Sequence, residues 1–126
     1  MILGLGLDLV DVRKMKSSLR RDSFKTKAFT PSEIACCSGR RNAAECYAGK
    51  FAAKEAFVKA IGCGMREGIW FTQIQVLGDA GGEPSITVTR ELERMFQALG
   101  SVTVRVSITH TSGFAAAVVV LEKERD

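Results

Sequence analysis

An α+β fold, with a mostly antiparallel sheet packed against one long central helix and shorter helices, is what the sequence predicts. Three observations carry it. The chain opens on an alternating strand, a long helical stretch rich in alanine follows, and the second half returns to a period of two in paired segments around one amphipathic helix. The element order is therefore β, helices, ββ, α, ββ, with residues 1–126 forming a single domain. With 46% hydrophobic and 25% charged residues the chain has apolar material enough for a core. No apolar run is long enough to cross a bilayer, and no basic segment opens the chain as a signal peptide would, so the cytoplasm is the expected compartment.

Taking the elements in order, "GLGLDLVDV" places Leu3, Leu5, Leu7 and Leu9 on one strand face and Gly4, Gly6, Asp8 and Val10 on the other. Asp8 thus shares its face with two glycines, where another element can come close. The basic stretch "RKMKSSLRRDSFKTK" is expected to form a short helix and a loop. "TPSE" matches a capping box with Pro31 at the first helical position. Asn42 in "NAAE" caps a long helix that stops at Gly62. "TQIQV" and "SITVT" flank a turn-rich stretch and read as a hairpin. Leu92, Met95, Phe96 and Leu99 recur at helical spacing before Gly100. "VTVRVSITH" and residues 114–121 make a second hairpin about "TSG". The four cysteines form no CxxC pair and no zinc spacing, so thiols without a role are expected.

Chemistry is expected from the long helix and the first strand. At about 100° per residue Lys50 and Lys54 share one edge, while Glu55 and Lys59 share another, roughly 140° round, among apolar neighbours. An i, i+4 ion pair between Glu55 and Lys59 is the bland reading. Asp8 and Glu55 are the two carboxylates on otherwise apolar elements. Convergence of the two requires either a hard cation such as Mg²⁺ or one protonated carboxyl serving as acid or base. His110, the one histidine, ends an apolar strand face beside Thr111, suited to a structural role or a phosphate contact. The net charge of +4 favours an acidic partner.

Together "GLGLDLVDV", "FTPSE", "KFAAKEAFVKAIGCG", "GGEP" and "VSITHTSGFAAAVVV" make the chain similar to the holo-(acyl carrier protein) synthases, the short bacterial 4′-phosphopantetheinyl transferases. The resemblance implies that fold, and transfer of the phosphopantetheine arm of coenzyme A to a serine of apo-acyl carrier protein, releasing adenosine 3′,5′-bisphosphate. It implies Asp8 and Glu55 as Mg²⁺ ligands, with Lys59 on the pyrophosphate. Gly62, Gly64, Pro84, His110 and Thr111 would bind coenzyme A, the last two from an adjacent subunit of a homotrimer. An acidic carrier would dock on Arg13, Lys14, Arg20, Arg21 and Lys25, with Phe24 as an apolar anchor. Neither nucleic acid nor a membrane is expected as a partner of such an enzyme. Cys63 stands where threonine is common, and Thr111 where some relatives carry aspartate, which removes a third acidic contact to the metal. Two other readings stand beside it: a non-catalytic basic module binding an acidic protein or nucleic acid, with no special need for Asp8 or Glu55, and a metal-dependent phosphohydrolase with water as acceptor.

Overall fold

The computed structural model describes residues 1–62, 69–78 and 80–124, so Cys63 and Gly64 lie outside the described residues. Strand β1 (Ile2–Asp11) leads into α1 (Val12–Ser18), α2 (Asp22–Ala28), α3 (Pro31–Ser38) and the long α4 (Ala43–Ile61). A 3-10 turn, Phe71–Gln73, then precedes β2 (Ile74–Gly78), β3 (Pro84–Val88), α5 (Arg90–Gln97), β4 (Val102–Thr111) and β5 (Phe114–Lys123). The element order is the expected one, and every strand pairing is antiparallel, but the strands divide into two sheets: β1-β5-β4 and the hairpin β2-β3. Among the described residues no helix is long and apolar enough to cross a membrane.

The caps behave as the sequence predicts. Thr30 and Glu33 bond reciprocally at the start of α3, Asn42 accepts from the Glu45 amide, and Gly62 ends α4 in the left-handed region at φ 83°. The basic stretch departs from expectation by forming two helices, because Asp11 caps α1 through the Arg13 and Lys14 amides and a turn at Leu19–Arg21 opens α2.

Helix α4 lies across the inner face of the larger sheet. Ala52, Ala53, Ala56 and Phe57 pack there with Ala117, Val119 and Leu121 of β5, all buried. Along α5 only part of the apolar stripe is covered: Leu92 is buried and Phe96 packs edge-on against Phe57, while Met95 and Leu99 face solvent.

One feature overturns a sequence expectation and another adds to one. Cys37 and Cys46 are not idle thiols but form a disulfide that ties α3 to the first turn of α4, their Cα atoms 5.5 Å apart. Cys36 is the free cysteine among the described residues. Glu33, read only as a cap, is fully buried and pairs with Lys54 at 2.6 Å. Lys54 places its other two protons on the carbonyls of Ala28 and Phe71, both at 2.8 Å. The Glu33 carboxylate in turn accepts from the amides of Thr30 and Val76. One buried ion pair with its polar atoms satisfied thus joins α3, α4 and β2, and burial lowers the pKa of Lys54 in spite of Glu33.

Candidate functional site

The two glycines of β1 set the site's geometry. A β-carbon on Gly4 would run into the carbonyl of Ala60, and one on Gly6 into that of Ala56. Only glycine lets backbone meet backbone here. As the strand moves from Gly6 to Gly4 the helix advances one turn, so the C-terminal half of α4 lies against β1 and carries Glu55 and Lys59 to the edge where Asp8 stands. Lys59 Nζ donates to Asp8 Oδ1 at 3.0 Å and to the Leu7 carbonyl at 2.9 Å. Its partner among the described ion pairs is therefore Asp8 rather than Glu55. Glu55 is half-buried. Burial, and then the charge of Asp8, raise its pKa above the usual carboxylate value, while Lys59 opposes the rise. The sequence-predicted trio converges: two carboxylates repel one another, and one ammonium balances part of their charge.

At the opposite edge of the sheet, β4 ends at His110 and Thr111, both exposed. His110 Nδ1 lies 3.2 Å from Glu45 Oε1. A groove of about 250 Å³ opens there, lined by Arg40, Glu45, Lys50, Pro84, Ile108 and His110 among others. Lys50 Nζ donates to the Val76 carbonyl at 2.6 Å. Neither Glu45 nor Arg40 was singled out in the sequence, since each looks like ordinary surface charge. Pairing puts Asp8 opposite Ala117 and Ala117 opposite Ile108, so Asp8 and the His110 end stand on different edges, two strand spacings or about 10 Å apart. The structure does not bring Pro84, His110 and Thr111 to Asp8 within one chain. Gly62 is exposed at the end of α4.

A sequence model of the 4′-phosphopantetheinyl transferase superfamily matches residues 4–119. The chain belongs to that superfamily. A holo-[acyl-carrier-protein] synthase of Geobacter sp. (strain M21) is 39% identical over 125 residues, 98% of this chain and 100% of that protein. The protein of the same name from Koribacter versatilis is 40% identical over 124 residues, 97% of this chain and 99% of its own. Among solved structures, the holo-[acyl-carrier-protein] synthase of Neisseria meningitidis superposes with a TM-score of 0.90 at 30% identity, covering 98% of this chain and 100% of that one. That of Bacillus anthracis, in complex with CoA (3′,5′-ADP), superposes at 0.81 with 33% identity, covering 98% and 99%.

Two surfaces complete the description of this family member. Arg13, Lys14, Arg20 and Arg21 are exposed along α1 and the turn after it, and Lys25 lies 6.0 Å over the Tyr47 ring. Phe24 is not a free anchor: it is half-buried against Phe29 and Phe51, with the Arg21 guanidinium 6.0 Å above it. On the outer face of the sheet, away from α4, Leu5, Leu7 and Leu9 of β1 are each 64–65% exposed beside Val118 and Val120. A continuous apolar face of this kind marks an interaction surface.

Proposed function

We propose that the chain transfers the 4′-phosphopantetheine group of coenzyme A to a serine of an apo-acyl carrier protein, releasing adenosine 3′,5′-bisphosphate, as a holo-[acyl-carrier-protein] synthase of the cytoplasm. The observation that carries this reading is the convergence of Asp8, Glu55 and Lys59 where α4 meets β1. In the reaction the serine Oγ forms a bond to the phosphorus that bears the pantetheine arm. The bond from that phosphorus to the bridging oxygen breaks, and the electron pair leaves with the nucleotide. Lys59, already donating at this edge, is placed to bind pyrophosphate oxygens as their charge grows. The serine proton needs an acceptor at this edge, which is either the Glu55 carboxylate or a water molecule beside it.

The donor set also fits Mg²⁺. The charges of the Asp8 and Glu55 carboxylates act on one another here, and oxygen ligands of this kind select a hard cation. Asp8 and Glu55 would hold the ion, leaving its other positions to substrate oxygens and water, and when bound it would neutralise developing phosphoryl charge. Pro84, His110, Thr111, Gly62 and Gly64 are assigned to coenzyme A. Because the His110 end and Asp8 stand on different sheet edges, the reading takes the two halves from adjacent subunits of a homotrimer. Burial of the outer leucine face would supply the apolar contact. An acidic carrier protein would dock on Arg13, Lys14, Arg20, Arg21 and Lys25, with the half-exposed edge of Phe24 beside them. In a reducing cytoplasm Cys37 and Cys46 would be held as two thiols.

Incubation with coenzyme A, Mg²⁺ and an apo-carrier protein should raise the carrier's mass by one phosphopantetheine arm, and Asp8→Ala should abolish the gain with the fold intact. No gain on any of several carriers sinks the reading. Mixing Glu55→Gln and His110→Ala proteins, at a coenzyme A concentration limiting for the His110→Ala protein, should raise activity above that of either alone, to about a quarter of wild type for random trimers. Failure to complement rejects the shared site.

A further inference from the structure

Glu45 reaches His110 because of how α4 crosses the sheet. Gly49 sits against Ile108, and a β-carbon on it would lie 3.1 Å from the Ile108 Cγ2 methyl. One helical turn back from Gly49 is Glu45, about 6 Å along the axis. Two residues on from Ile108 is His110, about 6.6 Å along the strand and on the same face. The two steps match, so contact at Gly49 sets Glu45 beside His110, and the measured separation of Oε1 and Nδ1 is 3.2 Å.

The carboxylate is anchored as well as close. The Glu45 amide donates to Asn42 Oδ1 at 3.2 Å, and Asn42 Nδ2 lies 3.5 Å from Glu45 Oε2. Stability alone does not account for this arrangement: the side chains are 54% and 32% exposed, and a pair so open to water adds little to folding. Its chemical consequence is larger. An imidazole that gives its Nδ1 proton to a carboxylate has only Nε2 left for a ligand, the same division of labour by which a carboxylate orients a metal-bound histidine. Nε2 can donate to a phosphoryl oxygen when the ring carries both protons, and Glu45 then balances the ring's charge.

We propose that Glu45 is a positioning residue for His110, holding the ring by Nδ1 so that Nε2 is the atom offered to the anionic part of coenzyme A in the groove shared with Arg40, Lys50 and Pro84. The inference rests on the assignment of that groove to coenzyme A. It adds a residue that touches no reacting atom and acts only through the ring.

One histidine in the chain makes the test direct. With ¹⁵N-labelled histidine at alkaline pH, where the ring is neutral, the assembled protein should show the proton on Nδ1 and a bare Nε2. Glu45→Ala should move the proton to Nε2, and Glu45→Gln, whose amide oxygen still accepts the bond, should keep the wild-type form. By titration calorimetry, adenosine 3′,5′-bisphosphate should bind Glu45→Ala about tenfold more weakly than wild type, while Glu45→Gln stays close to wild type. At saturating coenzyme A, kcat should stay within about twofold. In the His110→Ala background the effect of Glu45→Ala should vanish. A bare Nδ1 in the wild-type protein, or a Glu45→Ala loss undiminished without His110, overturns the proposal. If His110→Ala leaves nucleotide affinity unchanged, the coenzyme A assignment fails and takes the proposal with it. That failure is recognisable because the proton still moves with Glu45.

Discussion

Replacing Gly6 with alanine asks whether the charge cluster depends on the close approach of α4 to β1. The new β-carbon would lie 2.7 Å from the carbonyl carbon of Ala56 and nearer still to its oxygen, whereas ordinary contact begins at 3.4 Å. Strand and helix must separate by at least the difference, about 0.7 Å, and the obstacle is backbone, which no rotamer change can clear. Overpacking of this kind costs about 1–3 kcal/mol. For a chain of 126 residues that corresponds to a Tm lower by roughly 3–12 °C. Activity should suffer more than stability. The bonds from Lys59 to Leu7 and Asp8, at 2.9 and 3.0 Å, would stretch beyond hydrogen-bonding length. A displacement near 1 Å among catalytic groups costs about a hundredfold in rate. Thermal unfolding by circular dichroism and the carrier-mass assay, run well below the lower Tm, read the two effects separately. Gly39→Ala is the control, since nothing lies within 4 Å of the β-carbon it would add. A Gly6→Ala protein with Tm within about 2 °C and kcat within about twofold of wild type would refute the reasoning.

Glu55→Gln should remove activity and yet raise the Tm of the metal-free protein at neutral pH. The sign follows from a folded-state pKa raised above 4.5, first by burial and then by Asp8: the ionised group opposes folding above that pKa, and the penalty is gone once pH falls below 4.5. A gain that persists at pH 4 contradicts this origin. Lys54→Met strands the buried Glu33 carboxylate and should cost about 3–5 kcal/mol in urea denaturation; a loss under about 1 kcal/mol rejects the account of the buried pair. Arg13→Glu with Arg21→Glu should raise the carrier's KM at low salt far more than at high salt, since exposed charges act over a screened range. Unchanged low-salt kinetics would remove these residues from the docking surface.

The elements could be read from sequence because their signals are local. Thr30-Pro31-Ser32-Glu33 carries its own cap, Gly62 its own stop, and the leucine alternation of β1 its own two faces. Asp8 and Glu55 were legible for a related reason: a carboxylate on an apolar element is an anomaly that needs no partner to be noticed. What spacing along one helix could not supply was the partner. The i, i+4 rule offered Glu55 to Lys59, but the glycine contact brings Asp8 to it instead. The same rule left Lys54 at a helix edge, although its partner Glu33 lies 21 residues away and is buried with it. The disulfide between Cys37 and Cys46 depends on the angle between α3 and α4, and the Glu45–His110 pair on the register of α4 against β4. Neither quantity is written in any window of the chain.

That α4 meets both outer strands through glycine links the two halves of the proposed site. Gly4 and Gly6 bring its C-terminal half onto β1, and Gly49 brings its N-terminal half onto β4. A helix held at both ends cannot shift toward one strand without leaving the other, so the Asp8 cluster and the His110 groove are positioned by one rigid body. Their charges differ in sense. Two carboxylates against one ammonium leave the β1 edge short of positive charge, and Arg40 and Lys50 outnumber Glu45 at the β4 edge. A polyanion alone would prefer the second edge and be repelled by the first. On the proposed reading a divalent cation at the β1 edge would let it receive the pyrophosphate, with the nucleotide end of coenzyme A at the other edge. In the proposed trimer, two edges so matched across a subunit boundary would give each part of coenzyme A a separate reason to bind, whereas within one chain the edges stand about 10 Å apart.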